Sequence, residues 1–285
     1  MTAQIEALLL PAAPGPLGRR LALWHRPSGP LRSVVLYAHP YAEEMNKSRR
    51  MAALQARALA ECGHGVLQID LLGCGDSAGD FGDARWAAWV DDLLAGARWL
   101  RERSDAPMTF WGLRAGCLLL SEAAAQWPER CDYLFWQPTP HGAAVLRQFL
   151  RTAAAAALLD GGGKGVVESL RKQLAAGEAV EVGGYQIHPA LASGLEQARL
   201  LPPARPDAVG AVAWFDLGSP AQEAAVALGA ASAAAAAPWQ QQATSFESQV
   251  LAGPPFWQTT EIETAPRLIE RSTAAVERHA LAVTR

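Results

Sequence analysis

The stretch FWGLRAGCLLL, Phe110 to Leu120, reads as the end of a buried strand, a turn bounded by Gly112 and Gly116, and the first turns of a helix. PMT before it extends the strand backwards. SEAAAQWP after it carries the helix to a proline stop. Strand-to-helix turns of the form G-x-S-x-G present a nucleophilic serine at their centre. Here the centre is Arg114. A guanidinium stays protonated and has no free lone pair with which to attack.

Working outward, similar units recur. SVVLYAHP, Ser33 to Pro40, is a β-branched run that stops at proline. HGVLQID starts at His64, and CDYLFWQP at Cys131. Helical spacing fills the gaps: MNKSRRMAALQARALAECG ends at Gly63, and DARWAAWVDDLLAGARWLRERS follows a Gly-rich loop. In the second helix Trp86, Trp89, Leu93 and Leu94 share one face, and Asp91, Asp92 and Arg98 fall elsewhere. Ile5 to Trp24 reads as an antiparallel hairpin around PAAPGPLG. Strands alternating with helices predict a mostly parallel, twisted, doubly wound α/β sheet with helices on both faces.

The pattern changes after residue 138. Two helices flank DGGGKG, a hinge rather than a phosphate loop, because no Ser or Thr follows Lys164. GGYQIHPALASGLEQARLLPP adds a short helix. AVGAVAWFDLG resumes the strands, Pro220 to Ala237 reads as a helix, and TSFESQVLAGPPFW is a last strand and loop. A closing amphipathic helix begins near Thr264 and Pro266. The expected division is a core of residues 1–138 and 206–285 with a helical cap inserted at 139–205.

With 285 residues and a net charge of −3, the chain can bury a large core and lacks the basic footprint of a nucleic-acid binder. NKSRR, Asn46 to Arg50, reads as a solvated helix start. Cys62, Cys74, Cys117 and Cys131 form no Cys-x-x-Cys pair and no zinc spacing, so neither metal nor cofactor is expected and a reducing, cytoplasmic setting is. The N-terminus does not read as a signal peptide, and no run reaches the ~20 apolar residues of a membrane span.

The order of parts resembles the α/β-hydrolase superfamily. YAHPYAEE is similar to its His-Gly loop, DLLGCGDSAG to its Asp-x-x-Gly-x-Gly-x-Ser loop, and GLRAGC to its nucleophile elbow. More narrowly, HPYAEEMNKSRRM, DLLGCGDSAGDF and WGLRAGCLL resemble the exosortase A system-associated hydrolase 2 family. That resemblance implies the α/β-hydrolase fold with a cap. It also implies protein partners in an exopolysaccharide or protein-sorting system.

A serine hydrolase needs nucleophile, base and orienting acid. Arg114 cannot be the first. The base is expected in the loop after the last strand, yet His25, His39, His64, His141, His188 and His279 all lie outside GPPFWQTTEIET. Asp216 ends the strand where the acid is expected. Cys117, near a helix N-terminus and Arg114, is the fallback nucleophile, and it also reads as a core thiol. Asp76 and Ser77 read as residues that hold their loop, and His39 as a loop organiser.

What remains is an anion trap: a helix N-terminus, the Ala115 and Tyr41 amides matching an oxyanion hole, and a fixed guanidinium. Arg114, Ala115, Tyr41 and His39 are the expected ligand contacts, with Trp136, Phe256 and Trp257 as apolar walls. Equally, Arg114 pairs internally with Asp70, Asp216 or Glu43. Three functions follow: a pseudoenzyme binding an anionic or acyl ligand between core and cap, a hydrolase of esters or thioesters with a non-serine mechanism, or a non-catalytic scaffold.

Overall fold

Unbroken apolar runs form the centre of the sheet because both of its faces are covered. In the computed structural model, which describes residues 4–11, 18–159, 165–205, 207–219 and 227–283, β3 (Ser33–Ala38), β5 (Met108–Leu113) and β6 (Cys131–Trp136) are buried throughout. β4 (His64–Ile69), β9 (Val209–Gly218) and β10 (Ser245–Ala252) complete the parallel set. β1 (Ile5–Leu10) and β2 (Arg20–His25) form the expected hairpin and add to one edge antiparallel. The eight strands run in the order β1-β2-β4-β3-β5-β6-β9-β10.

α1 (Glu43–Glu61), α2 (Trp86–Arg101) and α3 (Ala115–Gln126) are the crossovers after β3, β4 and β5. Between β6 and β9 lie α4 (Gly142–Leu159), α5 (Val166–Ala175) and α6 (Pro189–Gln197). This stretch also holds a hairpin that helical expectation missed, β7 (Val180–Val182) with β8 (Tyr185–Ile187). Its turn is Gly183-Gly184, with φ of 58° and 81°. Positive φ at both turn residues matches the twist of a two-residue hairpin. An antiparallel bridge between His141 and Arg199 ties the entry of this stretch to its exit. Residues 160–164 of the DGGGKG loop and 220–226 of the Ala-rich run lie outside the described residues. The Ala-rich helix is α7 (Ala230–Gln242), and α8 (Pro266–Val283) closes the chain.

Side chains alternate along β5. Phe110 joins the cluster under α2, α3 and α7 with Leu93 and Trp239. Trp111 joins the cluster under α1 and α8 with Met51, Trp136 and Phe256. Asp92 departs from the sequence reading: it is 2% exposed. Arg20 from β2 donates to it at 2.8 Å and the Leu72 amide at 2.9 Å, so a buried ion pair takes a place on the packed face. No helix among the described residues is long and apolar enough to cross a membrane.

Candidate functional site

Arg114 alone makes the turn between β5 and α3, at φ 55° and ψ −119°. A residue with a side chain costs ~1–3 kcal/mol in such a conformation unless its surroundings dictate it. Here they do. The Arg114 amide donates to the Trp136 carbonyl at 3.0 Å. A Cβ on Gly116 would lie 2.2 Å from the Ala38 carbonyl oxygen, and one on Gly112 would lie 2.9 Å from the Cys117 backbone. The two glycines that mark the turn in sequence are required by the close approach of α3 to β3 and β5.

A matching turn faces it. Ala42, the N-cap of α1, sits at φ 49° and ψ −124°. It sends Glu44 from the first turn of α1 towards the elbow. Glu44 Oε1 accepts from Arg114 Nε at 3.4 Å and from Nη2 at 3.3 Å. Gln148 Oε1, from α4, accepts from Nη2 at 3.3 Å. Trp257, from the loop after β10, places its ring centroid 5.5 Å from the guanidinium carbon. The side chains of Arg114 and Glu44 are only 14% and 17% exposed. Burial pushes the Glu44 carboxyl above its ordinary range, against the Arg114 charge and hydrogen bonds that pull it down. Its Oε2 is buried and has no hydrogen-bond partner.

The acid beside Arg114 is therefore Glu44, not Asp70, Asp216 or Glu43. Asp70 pairs with Arg49 at 3.3 Å. Glu43 accepts from the Tyr185 hydroxyl at 3.1 Å. Asp216 is buried inside β9, its carboxyl raised by burial and its Oδ1 without a partner. Neighbouring helix residues are ~100° apart, so Glu43 and Glu44 address different partners.

Glu44, Gln148 and Trp257, the three side chains that meet Arg114, line a cavity of about 340 Å³ between α1, α4, the β7–β8 hairpin and the last loop. Tyr41, Phe149, Tyr185 and Trp257 make its walls, and Glu43, Glu44, Lys47 and Gln148 are among its polar groups. Edge-to-face contacts fix the rings, at 5.2 Å for Tyr41–Phe149 and 5.9 Å for Phe149–Tyr185. Trp136 and Phe256 lie behind it in the core: Trp136 packs on Phe256 at 6.1 Å and Phe256 on Trp257 at 5.2 Å. Of the three expected walls, Trp257 lines the cavity and the other two back it.

Ala115 opens α3 directly after Arg114, Tyr41 follows β3 and lines the cavity with Glu44, and both are buried. Cys117 is fully buried and its thiol pKa is raised by burial. His39 is buried, and its Nδ1 donates to the Pro40 carbonyl at 2.8 Å. Its Nε2 has no partner, burial lowers its pKa, and it lines a neighbouring cavity of about 220 Å³ with Tyr37, Arg49 and Asp70. Ser77 Oγ donates to the Asp70 carbonyl and accepts from the Leu21 amide at 2.8 Å, holding the Gly-rich loop. The Asp76 amide donates to Asp70 Oδ2 at 3.1 Å.

Solved structures match this architecture over nearly the whole chain. Est1E from Butyrivibrio proteoclasticus, solved with ferulic acid bound, superposes with a TM-score of 0.63 at 15% identity, covering 96% of this chain and 99% of that one. The chain has the α/β-hydrolase fold. A thermostable carboxyl esterase from Bacillus coagulans matches at TM-score 0.62 and 13% identity, covering 98% and 100%. The α/β-hydrolase GrgF from Penicillium sp. sh18 matches at 0.61 and 15%, covering 98% and 99%. No protein-family model matches the sequence, and no curated protein does. Arg114 is the single residue between β5 and α3, and the loop after β10 brings the Trp257 ring to it.

Proposed function

We propose that the chain is a hydrolase-fold binding protein without the acyl-serine cycle. It takes a small carboxylate with an acyl or aryl body into the cavity over Arg114. The observation that carries this reading is the contact of the elbow guanidinium with Trp257. Nucleophile and base positions are both filled by side chains that cannot serve those roles, yet the strained turn is kept. A carboxylate head would lie on the Arg114 guanidinium, in reach of the helix N-terminus at Ala115 and the Tyr41 amide. The apolar body would lie against Phe149, Tyr185 and Trp257. The motif resemblance to the exosortase A system-associated hydrolase 2 family supports placing this binding in an exopolysaccharide or protein-sorting system.

The test is calorimetric titration with octanoate and 3-phenylpropanoate. Wild-type protein binds at least one of them, and Arg114→Met weakens binding tenfold or more. Equal affinity in the two proteins contradicts the reading.

Glu44 favours a second reading, an ester or thioester hydrolase that does not use serine. A buried carboxyl raised above its ordinary range and facing an elbow is the kind of group that activates a water molecule. Hydrolysis of p-nitrophenyl octanoate that is lost in Glu44→Gln but kept in Cys117→Ser and Ser77→Ala would support it.

A further inference from the structure

Building on the carboxylate reading of the pocket, we propose that Glu44 is an internal stand-in for the ligand, so that each carboxylate bound at Arg114 brings one proton with it, onto Glu44. Glu44 Oε1 lies on the Nε and Nη2 edge of the guanidinium. That edge is the one a planar carboxylate takes in a two-point contact. Ligand and Glu44 cannot both occupy it. If Glu44 were displaced as an anion, it, Glu43 and the ligand would set three carboxylates against two cations, Arg114 and Lys47, around a cavity walled by Tyr41, Phe149 and Trp257. An unpaired anion is costly in such a place.

Protonation removes the conflict. One proton from solvent goes onto a Glu44 oxygen, the guanidinium keeps its charge, and the ligand supplies the negative charge that Glu44 gives up. The site is neutral before and after. Glu44 Oε2 has no partner in the free protein, and the new O–H can donate to the ligand or to Gln148 Oε1. Burial already biases this carboxyl towards its protonated form with Arg114 still beside it.

Few other groups can take the proton. On α1, Glu43 is held by the Tyr185 hydroxyl, and the ammonium of Lys47 lies 3.5 Å from the Gln258 carbonyl. From the hairpin comes Tyr185, pushed up to about 12. α4 and the last loop line the cavity with the uncharged Gln148, Trp257 and Gln258. His39 faces the adjoining cavity with Asp70 and Arg49, and burial lowers its pKa.

Titration of octanoate at pH 8, in two buffers with different ionisation enthalpies, tests this. Expected is uptake of about one proton per octanoate and an affinity that falls about tenfold per pH unit at alkaline pH. Glu44→Gln keeps the shape and removes the titration, so it binds octanoate without proton uptake and more tightly than wild type at pH 8. Binding to wild type with no proton uptake, or unchanged uptake in Glu44→Gln, overturns the exchange and leaves the carboxylate site standing. Failure of octanoate to bind either protein overturns both.

Discussion

The ring of Trp257 stands 5.5 Å from the guanidinium carbon of Arg114, joining the loop after β10 to the turn between β5 and α3. A cation over an indole face is worth ~1–2 kcal/mol when partly desolvated. The pair therefore has a structural use of its own, and under the proposed binding function a serine at position 114 does not bring ester-cleaving machinery with it.

The first prediction concerns that machinery. Arg114→Ser introduces a hydroxyl at φ 55° but meets an indole instead of an imidazole. Turnover of p-nitrophenyl butyrate stays at background in the variant. A fluorophosphonate probe labels neither it nor wild type. Labelling of the wild-type protein on any serine contradicts the absence of an acyl-serine cycle.

Removing either partner of the ion pair has unequal effects. Arg114→Met leaves Glu44 without its ion-pair partner at the edge of a largely aromatic cavity, at a cost of ~1–3 kcal/mol near pH 7. Glu44 is an acid whose folded pKa is raised. Its stabilising contribution is therefore full below its unfolded value and is lost as pH rises through the folded one. The penalty in Arg114→Met grows from pH 4.5 to pH 8, and Glu44→Gln abolishes that growth. Urea unfolding of both single variants and the double variant measures this. A penalty independent of pH would contradict it.

Acid stability draws in part on His64 and His279, buried away from the site. Burial lowers His64 and His279 to about 4. A base with a depressed folded pKa stabilises the neutral form. Stability is present above pH ~6.5 and is lost as pH falls towards 4, by up to ~3 kcal/mol for each group. His279→Gln flattens part of this loss in urea midpoints taken between pH 7 and pH 4. An unchanged slope would show that His279 is not among the groups taking up protons.

Trp257 also separates the Arg114 cavity from a neighbouring cleft along the ends of β9 and β10, since it lines both. Trp257→Ala removes the wall and leaves a void against Phe256, costing ~3–5 kcal/mol of stability. Octanoate affinity falls about tenfold, and Trp257→Phe recovers most of it by keeping an aromatic face. Equal affinities in Ala and Phe variants would place the ligand body elsewhere.

Much of the scaffold was legible in sequence. Parallel strands covered on both faces are continuous apolar runs, and the elbow declares itself through Gly112 and Gly116, where the packing leaves no room for a Cβ. The partner of Arg114 was not legible. Choosing Glu44 over Glu43 needs the register of α1, which starts from the positive φ of Ala42, a residue with no sequence signal for that conformation. Gln148, Phe149 and Tyr185 were missed for another reason: where the inserted elements settle on the core is a tertiary matter. The hairpin bearing Tyr185 did carry a signal, since VEV and YQI alternate around two glycines. Asp92 was misplaced because its burial depends on Arg20, distant in sequence.

A crystal structure of the wild-type protein grown with octanoate tests the central claim most directly. Expected is the intact carboxylate on the Arg114 guanidinium, about 3 Å from two of its nitrogens, with Glu44 moved off that edge. Octanoate seated away from Arg114, or an octanoyl ester on a serine, would contradict it.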